Sequence, residues 1–142
     1  MLNKSDLEII LYAALQYLGK PYLIGGEGPD GFDCSGLTRA ITRPLEILPR
    51  YDTTAQAQYD YLKGAGAQYG VFAPGAFAFY GEDEKSITHV AILISPTMVI
   101  EAGGGDRTTK TVDDANKRNA QVRLSGVYQR SDLVSVLLPR YR

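Results

Sequence analysis

The chain has 142 residues, 44% of them hydrophobic and 22% charged, which suffices for one domain with a real core. Fifteen basic against sixteen acidic side chains give a formal charge of −1, so there is no electrostatic footprint for nucleic acid and no basic cluster for a membrane surface. A single cysteine excludes an intrachain disulfide, and one Cys with one His argues against a structural zinc site.

From the N-terminus, Lys4, Asp6 and Glu8 interrupt the apolar run that a secretory signal needs. No stretch approaches the roughly 18 apolar residues of a membrane span, and the chain is expected to be made soluble in the cytoplasm. Ser5-Asp6-Leu7-Glu8 has the form of a capping box, with Ser5 as the N-cap of a helix over 6–18. Leu7, Ile10, Leu11, Ala14, Leu15 and Leu18 follow helical spacing, and Gly19 stops it. Lys20-Pro21-Tyr22 leads into a glycine-rich run, Gly25 to Gly31, that no regular element accommodates. Asp33 is a good N-cap for a second helix over 34–43, and 44–49 is irregular. A third helix starts at Thr53 or Thr54 and ends at Lys63.

The period changes after Pro74-Gly75. Phe77–Tyr80 reads as a strand, Thr88–Ile94 as the strongest strand of the chain, and Met98–Ala102 as its return. Gly103 to Asp106 is a loop passing close to a cleft, and Thr111 caps a short helix over 112–118. Residues 122–127 and 133–138 complete the strands. Helices first, then hairpin-connected strands, predict an α+β fold with N-terminal helices packed on a mainly antiparallel sheet.

The chemistry centres on Cys34. At the first position of a helix capped by Asp33, a thiol sits at the positive end of the helix dipole, which favours thiolate. A lone cysteine is otherwise a small core residue. His89 is the only imidazole, at the start of a buried strand, and a Cys–His pair makes a nucleophile and a proton carrier. Glu101 is the candidate to orient the imidazole through its other nitrogen. An odd loop between the two strands puts 91 opposite 101 and His89 diagonal to Glu101 on one face, whereas a two-residue turn sends Glu101 to the opposite face. The backbone N–H of Cys34 can form an oxyanion hole.

Lys20-Pro21-Tyr22, the glycine run, Asp33-Cys34-Ser35-Gly36-Leu37, Pro74-Gly75, His89-Val90-Ala91-Ile92 and Val99-Ile100-Glu101-Ala102-Gly103 together resemble the NlpC-type cell-wall cysteine peptidases. The resemblance spans roughly residues 6–105. It implies a papain-like fold and a thiol peptidase that cuts peptidoglycan stem peptides beside D-γ-glutamyl linkages, with no cofactor. By position it makes Cys34 the nucleophile, His89 the base and Tyr22 a cleft residue near the thiolate or oxyanion, while Asp33 and Ser35, flanking the thiol, are further candidates for the substrate and oxyanion side. Glu101 stands where such proteins often carry a second histidine, and Ala76 replaces the aspartate of their Pro-Gly-Asp turn. Stand-alone domains of this kind are similar to phage or prophage wall peptidases, which implies particle proteins as partners and action on the wall after lysis or within a particle. A binding module with little turnover, and acyl transfer by the same triad, are the competing readings.

Overall fold

The structure is a computed structural model that describes residues 2–51 and 54–141. Its helices are α1 (Lys4–Tyr17), α2 (Cys34–Thr42), α3 (Ala55–Gly64) and α4 (Val112–Arg118). Its strands are β1 (Gln68–Tyr69), β2 (Phe77–Gly81), β3 (Ile87–Leu93), β4 (Met98–Gly103), β5 (Gln121–Gly126) and β6 (Leu133–Leu138). The strands form one sheet in the order β1-β6-β2-β3-β4-β5, with every pairing antiparallel. The α+β expectation holds.

Most expected elements fall where the sequence puts them, and the differences have local causes. The cap of α1 is Asn3, not Ser5: the Asn3 side chain accepts from the Asp6 N–H at 2.8 Å, so the helix begins earlier and Ser5 lies inside it. Both residue types cap well, and the first one able to take the extended cap conformation ends the competition. Thr54 caps α3, accepting from the Ala57 N–H at 3.1 Å, while Thr53 lies outside the described residues. The stretch expected to be irregular after α2 contains a 3₁₀ turn at Arg43–Leu45, with Pro44 in its first turn. Gly103 belongs to β4 rather than to the loop, paired with Gln121. Strand β1 was not expected; at two residues it carries no periodicity to read.

The core lies between the helices and the sheet. Phe77, Phe79, Val90 and Ile92 are fully buried together with Leu37 and Ile41 of α2. Tyr59 of α3 meets Phe79 edge-on, with ring centroids 5.1 Å apart. Gln58, also on α3 and fully buried, donates to the Ser35 carbonyl at 2.9 Å and accepts from the Thr38 hydroxyl at 2.7 Å. That fastens the first turn of α2 to α3 with a satisfied buried polar group. Among the described residues, no buried side-chain nitrogen or oxygen lacks a partner. Among the described residues, no helix is long and apolar enough to cross a membrane.

The glycine run folds back over the start of α2. Asp33 N–H donates to the Gly26 carbonyl at 3.0 Å, and Gly36 lies against that same carbonyl, where a Cβ would collide with backbone. Only glycine at 36 allows loop and helix to close this tightly. Replacing Gly36 with Ala is therefore expected to cost about 2–4 kcal/mol, the range of a severe steric change in a packed site. Urea unfolding of wild type and Gly36→Ala, compared at constant m-value, measures it.

Candidate active site

Each side chain of the site is placed by a different element. Cys34 opens α2, whose N-cap is Asp33. One Asp33 oxygen accepts from the Gly36 N–H at 2.7 Å and from the Ser35 hydroxyl at 3.3 Å. The other accepts from the Gly25 N–H at 2.9 Å. Asp33 is thus both helix cap and anchor of the glycine loop. This cap does not take the N–H groups of Cys34 and Ser35, which remain at the start of the helix. Ser35 is buried, with its hydroxyl engaged on Asp33, and it lines a groove shared with Glu27, Arg39 and Thr54.

Strand register decides the third residue. Leu93 pairs with Val99 and Ile92 with Ile100, around a three-residue loop, Ser95-Pro96-Thr97. Continuing that register sets Glu101 across from Ala91 and diagonal to His89 on one face, the odd-loop outcome. His89 and Glu101 are 6% and 4% exposed, and His89 Nε2 lies 2.7 Å from Glu101 Oε1. With Nε2 held by the carboxylate, Nδ1 is left for the half-buried Cys34, which interacts with the ring.

Two residues that the sequence did not bring forward complete the group. Ser125 donates its hydroxyl to Glu101 Oε2 at 2.7 Å, and Arg123 Nε donates to the same oxygen at 3.2 Å. Both come from β5, where Arg123 is directly opposite Glu101. Their signal was the alternation Arg123-Leu124-Ser125, which places both polar side chains on one face of the strand.

The electrostatics follow from these contacts. Burial alone would raise the Glu101 carboxyl, but hydrogen bonds from and the charge of His89, with Ser125 and Arg123 behind them, hold it down to about 2. Burial alone would lower the His89 imidazole, and the hydrogen bonds and charges of Cys34 and Glu101 outweigh it and raise it. Tyr22 is placed by main-chain bonding of its N–H to Ala120 at 3.0 Å, and its ring packs so closely on Gly105 that a Cβ there would overlap it. Burial first, then neighbouring Cys34, Asp33 and Asp106, push its phenol well up, so it stays a neutral donor beside the thiol. Among the described residues, no group of three or more His, Cys, Asp or Glu side chains is placed to hold a metal ion.

A thiol at a helix N-terminus, an imidazole across from it and a buried carboxylate behind the imidazole make up a nucleophilic-cysteine site on an α+β scaffold. The family model described as the NlpC/P60 family matches residues 19–128, and the chain belongs to that family. The bifunctional muramidase/DL-endopeptidase CwlT of Bacillus subtilis is 37% identical over 91 residues, covering 61% of this chain and 26% of that protein. The probable endopeptidase YafL of Escherichia coli is 34% identical over 109 residues, covering 74% of this chain and 41% of that protein. The chain therefore spans less than half the length of either relative. The solved NlpC/p60 domain of peptidoglycan hydrolase SagA shares the fold with a TM-score of 0.67 at 24% identity, covering 96% of this chain and 98% of that one.

The two shifts fix the sign of the pH dependence. Glu101, lowered from 4.5, adds stability that is complete above 4.5 and lost as the pH falls toward about 2. His89, raised from 6.5, adds stability that is complete below 6.5 and lost as the pH rises through its folded value. The stabilisation by this pair is accordingly greatest between pH 4.5 and 6.5. Thermal unfolding of wild type and Glu101→Gln across pH 3–9 (a range of roughly that span) should show the largest difference in that window. A difference that is flat with pH would contradict the pairing.

Proposed function

We propose that the chain hydrolyses amide bonds in peptidoglycan stem peptides, beside D-γ-glutamyl residues, through Cys34, His89 and Glu101. The observation that carries this reading is the imidazole held from both sides: Nε2 by a buried carboxylate at 2.7 Å and the remaining nitrogen facing the only thiol. Membership of the NlpC/P60 family and the likeness to CwlT, a DL-endopeptidase, and YafL, a probable endopeptidase, support the substrate class.

The steps use only this chain's own groups and water. Cys34 Sγ attacks the scissile carbonyl carbon and its proton resides on His89 Nδ1, the imidazolium being stabilised by Glu101. Negative charge gathers on the former carbonyl oxygen, which the free N–H groups at the start of α2 can stabilise, with the neutral Tyr22 phenol as a further donor close by. The C–N bond breaks as His89 protonates the leaving amine, leaving a thioester on Cys34. His89 then takes a proton from water, the hydroxide adds to the thioester carbonyl, and the C–S bond breaks to release the carboxylic acid and restore the thiol.

Glu101 acts by holding the tautomer and by balancing the imidazolium charge, with Ser125 and Arg123 keeping it in place. On purified cell wall, Cys34→Ala and His89→Ala are expected to lose at least ~10³-fold in the release of new amino groups, as happens when one member of a triad is removed. Equal release from all three proteins would sink the proposal. Arg123→Met, which removes one of the two side chains behind Glu101, should retain Cys34 alkylation by iodoacetamide yet lose on the order of 10-fold in turnover.

A further inference from the structure

Tyr80 is almost fully buried on β2 directly opposite His89, and its ring centroid lies 5.5 Å from the imidazole at a tilt of 49°. It is also the point where β2 breaks register with both neighbours. The shift against β3 falls between Tyr80 and Gly81, and the shift against β6 falls between Phe79 and Tyr80. Bulges of this kind re-aim a side chain and recur beside active sites. The phenol hydroxyl donates to the Val127 carbonyl at 2.7 Å, which fixes the ring from its far end. Arg130 lies over the same ring, 5.3 Å from its centroid, and is itself locked by two hydrogen bonds to Asp132 at 2.9 and 2.8 Å.

A core aromatic that only fills space needs neither a register break nor a cation over its face. The imidazole, for its part, needs a second constraint. The contact with Cys34 is given up whenever the sulfur bonds to substrate, and the remaining bond from Nε2 to Glu101 fixes one atom, so the ring can then swing about it and carry Nδ1 out of line. A flat neighbour against the ring removes that freedom, and misplacement of a reacting group by about 1 Å can cost on the order of 10²-fold.

We propose that Tyr80 is a positioning residue for His89, setting the plane of the imidazole so that Nδ1 faces Cys34, and that Arg130, seated on Tyr80 and braced by Asp132, holds Tyr80 in place. The proposal rests on His89 acting as the base. Tyr80 touches no substrate in this role; it acts through the histidine. The segment between β5 and β6 thereby contributes to the site from beneath, although none of its residues belongs to the triad.

His89 is the only histidine, so its ring signals in a long-range proton–nitrogen NMR spectrum need no assignment by mutation. In wild type one set of sharp ring signals is expected. Tyr80→Phe keeps the ring and should stay within about threefold of wild-type kcat, the worth of one hydrogen bond. Tyr80→Leu removes the ring and should broaden or average the His89 signals, lowering kcat on soluble wall fragments about 10- to 100-fold with KM unchanged. A folded Tyr80→Leu with wild-type His89 signals and wild-type kcat overturns the proposal.

Should Tyr80→Leu fail to fold, Arg130→Met decides the matter, since that side chain is 40% exposed. It should disturb the His89 signals and lower kcat about 2- to 5-fold, the worth of a surface cation–π contact, with Arg130→Lys restoring both. An Arg130→Met protein unchanged in spectrum and kcat overturns it. Loss of the catalytic reading itself would look different: His89→Ala would then be as active as wild type.

Discussion

A charged carboxylate in the interior is the constraint around which this site is built. Glu101 is 4% exposed, and an ion so removed from water persists only if its oxygens are filled by good donors. Here one oxygen is taken by His89, the other by Ser125 and Arg123, so the two strands flanking β4 share the solvation of one side chain. Removing any donor leaves charge uncompensated, while keeping all of them leaves the imidazole with one free nitrogen and one direction in which to offer it. Held down to about 2, the carboxylate stays charged beside the imidazole at any pH near neutral.

The thiol is placed by a separate and simpler device. Asp33 caps α2 with one oxygen and grips the glycine loop with the other, so the thiol is presented at a helix end whose position is fixed from two sides. Gln58 locks the next carbonyl to α3. The helix end and the sheet face are thus each braced by contacts of their own.

Much of this was legible in the sequence because the relevant signals are local. Asp33 before Cys34 marks a helix start, and the alternation from His89 through the short turn to Glu101 limits their relation to two outcomes, one of which the three-residue loop selects. What escaped is non-local. Arg123 and Ser125 reach Glu101 only because β5 pairs with β4 across the intervening α4, a pairing no short window contains. Gln58 looks like an ordinary polar helix residue until α2 covers it. Asn3 and Ser5 are equally good caps on paper, and only the extended backbone at Asn3 separates them. The two-residue β1 exists solely as a partner for β6.

The lateness of β5 has a temporal meaning. That strand and the turn leading into it supply the Ala120 carbonyl that seats Tyr22 and the two donors that hold Glu101, so residues far earlier in the chain depend on an element synthesised after them. Contacts this distant in sequence form slowly, after the local helices and hairpins. A chain still emerging from the ribosome already carries its thiol and its imidazole, yet has no finished charge system to join them.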